Sequence, residues 1–196
     1  MKKKEKLSVN IPTIEEIENE QKRLRHRAVY QRTLRGTIAV LLVVAAISVL
    51  VATLWMPVLQ IYGSSMSPTL EAGQIVVSVK TNQLKTGEVV AFWQGNKLLV
   101  KRVIAGPGQW VDIDMDGNVT VDGKELTEDY LDMKALGNCD VELPHQVEES
   151  RWFLMGDNRD VSVDSRSVAI GDVSKDQIEG KIVFRIWPLN KTGSIQ

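Results

Sequence analysis

The sequence predicts a mainly β protein, an antiparallel β-barrel-like domain carried behind a single N-terminal transmembrane helix. Three observations predict it. An apolar stretch without a single charge follows a basic head. Short β-branched runs, separated by tight-turn signals, fill the chain after residue 60. Helical periodicity is scarce over that same region, and no internal repeat emerges, which suits a barrel or sandwich-like architecture. A length of 196 residues leaves room for one domain of about 100 to 150 residues plus an attachment. The expected division is a basic segment over 1–35, a membrane-spanning helix over 36–58 and a folded domain over 59–196.

The net charge of -1 conceals an asymmetry. Residues 1–35 hold ten Lys/Arg and five Glu, and the remainder holds fourteen basic and twenty acidic residues. From Gly36 to Leu70 no residue is charged. A basic head, an apolar middle and a mildly acidic body suit a protein partnered by a lipid bilayer. No basic stripe is interleaved with aromatics, so the chain does not read as a nucleic-acid binder. Cys139 is the only cysteine, which excludes an internal disulfide and a multi-cysteine zinc site.

Residues 1–20 look polar and flexible, and Glu20 to Arg35 suits a basic helix lying on the inner leaflet. Between Ile38 and Met56 lie nineteen residues whose only polar members are Ser48 and Thr53. At about 1.5 Å per residue they span roughly 28 Å, close to the hydrocarbon thickness of a bilayer. Trp55 falls where an interfacial indole belongs. The segment is too long for the apolar core of a cleavable leader, and bulky Leu54-Trp55-Met56-Pro57 follows in place of a small-x-small site. It therefore reads as an uncleaved anchor. Lys22, Arg23, Arg25, Arg27, Arg32 and Arg35 precede it closely, which predicts a cytoplasmic N-terminus and an extracytoplasmic domain at the cell membrane.

Gln74–Lys80 and Glu88–Trp93 are the first strand candidates. Gly95-Asn96 closes a hairpin between Val89–Trp93 and Lys97–Ile104. Trp110–Met115 alternates apolar and acidic residues, and Asp116-Gly117 and Asp122-Gly123 mark two further turns. Lys181–Trp187 reads as the last strand, stopped by Pro188.

Two residues in this frame carry chemistry. Ser65 lies in Gly63-Ser64-Ser65-Met66-Ser67-Pro68-Thr69, just beyond the apolar segment. A serine needs a base to attack at neutral pH. Neither histidine is near it in the chain, so a lysine is the natural candidate. Lys101 lies in Leu99-Val100-Lys101-Arg102-Val103, where strand alternation places it on one face with Leu99 and Val103. Desolvation there lowers an amine's pKa and frees it to accept a proton. Arg102 points the opposite way, toward solvent or a carboxylate. On spacing alone, a lysine that snorkels outward and an ordinary turn serine are the better readings of these residues. Gly63 and Ser64 permit a sharp turn, Met66 offers an adaptable wall, and the Ser65 amide is a candidate oxyanion donor. A third segment, Gly156 to Arg166, packs turn formers, carboxylates and two arginines together. A solvated loop is the bland reading, and the carboxylate spacing of Asp157, Asp160 and Asp164 does not follow a calcium-binding hand.

Taken together these segments resemble the type I signal peptidases, membrane-bound Ser/Lys endopeptidases of family S26 that remove signal peptides from exported proteins. Ser65-Met66-Ser67-Pro68-Thr69 is similar to the family's serine box. Thr86-Gly87-Glu88-Val89-Val90-Ala91-Phe92 resembles its following strand, Lys101-Arg102-Val103-Ile104 its lysine box, and residues 156–166 its Gly-Asp-Asn-Arg-x-x-Ser-x-Asp-Ser-Arg pattern. Four such boxes in order behind an anchor are far more specific than any one.

The resemblance implies Ser65 as nucleophile and Lys101 as general base. It implies that Ser162 hydrogen-bonds the Lys101 amine and that Asp164 and Arg166 support the site through an ion pair. Ile61, Gly63, Met66 and Val100 would line shallow pockets for small residues at -1 and -3 of signal-peptide-bearing precursors, typically Ala-x-Ala. No metal and no cofactor are implied. Two departures stand out. Gly63 replaces a serine that some members carry two residues before the nucleophile, which leaves the second oxyanion donor open. Ala105-Gly106-Pro107-Gly108-Gln109 also departs from the more usual Gly-Leu-Pro-Gly-Asp. A non-catalytic membrane-anchored adaptor with a peptidase-like fold is the alternative.

Overall fold

The computed structural model describes residues 13–81 and 83–195, with the backbone but not the side chain of Trp55. Residues 1–12, where most of the flexible polar segment was expected, and the indole of Trp55 lie outside the described residues. The chain divides into two compact units, Met1–Val51 and Ala52–Gln196.

One helix, α1, runs from Ile14 to Trp55 without interruption. Its start corrects the expectation of a flexible segment to residue 20 followed by a separate basic helix. The physical reason is a capping box. The Glu16 amide donates to Thr13 Oγ1 at 3.4 Å, and the Thr13 amide donates to Glu16 Oε2 at 2.9 Å. Glu15 and Glu16 also sit in the first turn, where carboxylates oppose the helix dipole. Pro57 cannot continue the helix, and α1 stops two residues before it. Within the apolar half, Ser48 Oγ donates to the Val44 carbonyl at 2.8 Å, so its hydroxyl is satisfied without water. At 42 residues α1 is about 63 Å long, twice what a hydrocarbon core needs. Its charged residues end at Arg35, and its apolar stretch follows in the C-terminal half.

The second unit is built from short strands: β1 (Val58–Gln60), β2 (Ile75–Val79), β3 (Val89–Gln94), β4 (Lys97–Ala105), β5 (Trp110–Ile113), β6 (Val119–Val121), β7 (Lys124–Glu125), β8 (His145–Gln146), β9 (Arg151–Met155), β10 (Val173–Ser174), β11 (Ile178–Trp187) and β12 (Gly193–Ser194). The larger sheet has the order β1-β2-β11-β3-β4-β9-β10, with β12 also on β11; the smaller is β7-β6-β5-β8. Every pairing is antiparallel. The hairpin expected at Gly95-Asn96 is present, with Gln94 opposite Lys97 and Gly95 at φ +58°. Asp122-Gly123 turns with both residues at positive φ, which suits a two-residue hairpin loop. The fifth strand stops at Ile113 rather than Met115, because the exposed Asp114 carboxylate accepts the amides of Asp116 and Asn118 and closes a turn there. The strand ended by Pro188 is not the last: β12 folds back onto it through Phe184 and Arg185. The mainly β expectation holds. The barrel-like part holds loosely, since the larger sheet remains an open path from β1 to β10.

Strand alternation distributes the core. On β3, Val89 and Ala91 pack into one cluster with Ile61, Met66, Leu70, Val76 and Ile182. Val90 and Phe92 face the other way, into a second cluster with Val103, Trp152, Leu154 and Val173. A strand buried on both faces needs a continuous apolar run, and Val-Val-Ala-Phe supplies it. A third cluster joins Ile104 and Phe153 to Val111, Ile113 and Val119 of the smaller sheet.

β11 threads between β2 and β3, and its register shifts between Ile178 and Gly180. A Cβ at Gly180 would lie 2.8 Å from the Val79 carbonyl oxygen, closer than real Cβ atoms approach. Gly180→Ala is expected to lower stability by about 2 kcal/mol and the melting temperature by about 5 °C. Thermal unfolding of the detergent-solubilised chain measures it.

Candidate active site

Ser65 lies in a turn just after β1, and Lys101 lies on β4. Between them the larger sheet makes four antiparallel steps (β1 to β2 to β11 to β3 to β4), so β1 and β4 run in the same direction. The sheet bends enough that residues of both strands line one cleft of about 540 Å³. Ser65, Lys101, Ile61, Gly63, Met66 and Val100 all line it. Reasoning from the sequence missed the far end of this cleft, where Val58 to Gln60, Trp93, Asn96 and Leu98 continue the walls. The exposed Trp93 inside an otherwise buried strand was the available signal.

Lys101 is 3% exposed. Burial, opposed by the charge of Asp164, pushes its amine down to about 8 from an ordinary value near 10.5. Arg166 pushes in the same direction as burial, and Asp157 opposes it. The Ser65 turn is pinned from beneath by the 156–166 loop. The Asn158 amide donates to the Ser65 carbonyl at 3.0 Å, while the Ser65 amide donates to no acceptor among the described residues. Gly63 takes φ +79°, a conformation that side-chain-bearing residues avoid. Ser67–Pro68 is a cis peptide.

Three buried arginines hold that loop. Arg102 does not reach solvent; its Nε and Nη2 bind Asp157 at 2.8 and 2.7 Å, and Nη1 donates to the Gly87 carbonyl at 2.6 Å. Its guanidinium also lies 3.9 Å from the Tyr130 ring centre. Arg166 binds Asp164 through Nε and Nη2 at 2.8 and 2.9 Å and donates to the Leu136 carbonyl at 2.6 Å. Burial opposes ionisation of Asp164, but Arg166 and the Gly156 amide outweigh it and hold the carboxyl below its usual range. Arg159 pairs with Glu128, a buried carboxylate that no motif had marked. Asp157 and Asp164 are thus engaged by guanidinium groups and not arranged for calcium.

Ser162 is buried beside Gly156, with its Oγ unpartnered among the described residues. The hydrogen bond expected from Ser162 to the Lys101 amine is not formed in this structure. Its immediate neighbours are instead revealed by Gly156: a Cβ there would overlap Ser162 Oγ and come within 2.5 Å of the Ser65 carbonyl oxygen.

A family model described as "Signal peptidase, peptidase S26" matches residues 34–187. The chain belongs to the signal peptidase family, peptidase S26. Signal peptidase IB of Staphylococcus aureus (strain COL) is 37% identical over 152 residues, covering 67% of this chain and 78% of that protein. Signal peptidase I of Bacillus licheniformis is 32% identical over 166 residues, covering 78% and 88%. A crystal structure of a signal peptidase I from Enterococcus faecalis aligns with 52% of the chain and 98% of its own at 25% identity, with a TM-score of 0.43. Family membership makes the chain a hydrolase of signal-peptide processing, and the one long apolar helix among the described residues is consistent with a single-pass membrane protein.

Two measurements probe this site. Gly156→Ala is expected to reduce peptide cleavage at least 100-fold with the circular dichroism spectrum retained, because the added methyl displaces the Ser65 carbonyl. The second concerns Lys101. Its amine binds a proton less tightly folded than unfolded, so the cost of charging it is present in full below pH 8 and is relieved between pH 8 and 10.5. Lys101→Met is therefore expected to be more stable than the natural chain at pH 7. That advantage should shrink by about 3 kcal/mol as pH rises through this window, read by denaturant titration.

Proposed function

We propose that the chain is a membrane-anchored serine endopeptidase that cleaves precursors after small-x-small sites with a Ser65/Lys101 dyad. The observation that carries the proposal is a desolvated lysine and a turn serine lining one cleft. With its amine near 8, about a tenth of Lys101 is neutral at pH 7, far more than an ordinary lysine offers and enough to act as a base.

In the proposed reaction neutral Lys101 takes the Ser65 Oγ proton as Oγ attacks the carbonyl carbon of residue -1. The free Ser65 amide donates to the resulting oxyanion. The Lys101 ammonium then protonates the departing amine as the peptide C–N bond breaks. Water, deprotonated by the same amine, attacks the acyl-enzyme; Lys101 returns the proton to Ser65 Oγ and the signal peptide leaves as its carboxylic acid. Ser162, Asp164 and Arg166 act as positioning residues through the loop that holds the Ser65 carbonyl.

The substrate would lie extended between β1 and β4, as an added strand in the open gap of the sheet. Ile61, Met66 and Val100 would wall the positions of -1 and -3 and admit small side chains there, and Gly63 would let the peptide backbone approach closely. Residues 1–35 would form a cytoplasmic segment, 36–58 the membrane-spanning part and 59–196 the extracytoplasmic catalytic domain, an orientation supported by the basic residues before the apolar stretch.

Cleavage of an Ala-x-Ala precursor by the solubilised protein, with mass mapping of the products, tests the proposal. Ser65→Ala and Lys101→Ala are each expected to reduce cleavage by at least about 1000-fold while the fold persists. For the natural chain, kcat/KM should rise with pH through an inflection near 8, since the neutral amine is the active form. A fully active, folded Lys101→Ala variant, or a flat profile down to pH 5, would reject the dyad.

A further inference from the structure

The cleft does not end at the residues expected to receive -1 and -3. Val100 and Leu98 lie on one face of β4, and both pack against the cluster that contains Ile61, Met66 and Ala91. Ala91 is opposite Val100 and Trp93 is opposite Leu98 on the paired strands. By strand alternation Trp93 therefore extends the same apolar floor one pair further, toward the hairpin tip at Asn96. Its indole is 43% exposed and lines the cleft. It is not a loose side chain, because Nε1 donates to Glu179 Oε2 at 3.0 Å. An exposed tryptophan whose polar edge is already satisfied presents only its apolar faces to a bound peptide.

Distance and parity select the substrate position. Leu98 stands three residues along β4 from Lys101, about 10 Å at the rise of a strand. An extended peptide cut at Ser65 reaches that far with residues -4 and -5. Residues -1, -3 and -5 point to one face of a strand, while -2 and -4 point to the other. The floor that carries the expected -1 and -3 pockets continues into Trp93 and Leu98, so the residue delivered there is -5.

We propose that Trp93 and Leu98 form a third specificity pocket that takes a large aliphatic or aromatic side chain five residues before the cut. The inference rests on the small-x-small reading given above and adds an upstream selectivity to it. It makes Trp93 a specificity-determining residue that never touches the reacting atoms.

Two peptides test it, identical with Ala at -1 and -3 but with Leu or Ser at -5. The natural chain is expected to prefer the Leu peptide by about 10-fold in kcat/KM, roughly the worth of burying one apolar side chain. Trp93→Ala should bring that ratio close to 1, with the loss on the Leu peptide falling on KM. Trp93→Phe, which keeps an apolar face, should restore part of the preference. A natural chain that cuts both peptides equally overturns the pocket while leaving the endopeptidase intact. A Trp93→Ala variant that loses both activities by the same factor also overturns it, since that is the mark of a structural role. If the natural chain cuts neither peptide, the small-x-small reading falls and the pocket falls with it.

Discussion

Everything around the cleft depends on keeping one amine out of water without giving it a free counter-ion. Lys101 feels the charge of two buried carboxylates, Asp157 and Asp164, and an unshielded carboxylate nearby would restore the lysine's charge. Each of these carboxylates is bound at both oxygens by its own guanidinium, Arg102 or Arg166. The pairing spends their charge locally, so desolvation prevails at the amine. Buried ion pairs contribute little net stability and are costly to break. Their value here is geometric, because the same pairs fix the loop that supports Ser65.

That coupling explains why four sequence segments far apart in the chain had to appear together. Arg102 follows Lys101 on β4 and so points away from it, into Asp157 of the loop. Its Nη1 reaches Gly87 at the entry to β3, and Nη2 lies 3.2 Å from Thr69 beyond Ser65. One side chain thus touches the serine turn, the following strand and the loop at once. A lysine could not replace it, because its point charge cannot bind two carboxylate oxygens and a carbonyl in fixed directions.

The parts legible in the sequence were those with local physical signatures. The β3–β4 hairpin announced itself by Gly95-Asn96, and the apolar half of α1 by its lack of charge. Ser65 and Lys101 were visible as types in context, although only the joint pattern of boxes raised them above a turn serine and a strand lysine. The start of α1 was legible in Thr13-x-x-Glu16 and was passed over for the polar composition around it. Glu128 and Tyr130 were not legible. They lie in a connection without regular structure, and only the fold brings them to Arg159 and Arg102. The open form of the sheet was equally hidden, because strand content says nothing about which edges meet.

The free outer edge of β1 and a Ser162 hydroxyl without a partner among the described residues are both features that a structure built for stability alone would remove. A buried hydroxyl without a partner costs about 1 to 3 kcal/mol, and Ser162→Ala would avoid that cost. An unpaired strand edge invites association with other chains. Both lie on the path from the 156–166 loop through the Ser65 turn to the cleft. Gly156 allows that loop to press so closely beneath Ser65 that not even a methyl group fits. The three arginine clamps fix the loop's geometry, and the packed clusters around the cleft supply the stability against which these local deficits persist. The free edge of β1 thus lies at the cleft and the unpartnered Ser162 hydroxyl in the loop that supports it, where function and not packing decides what is kept.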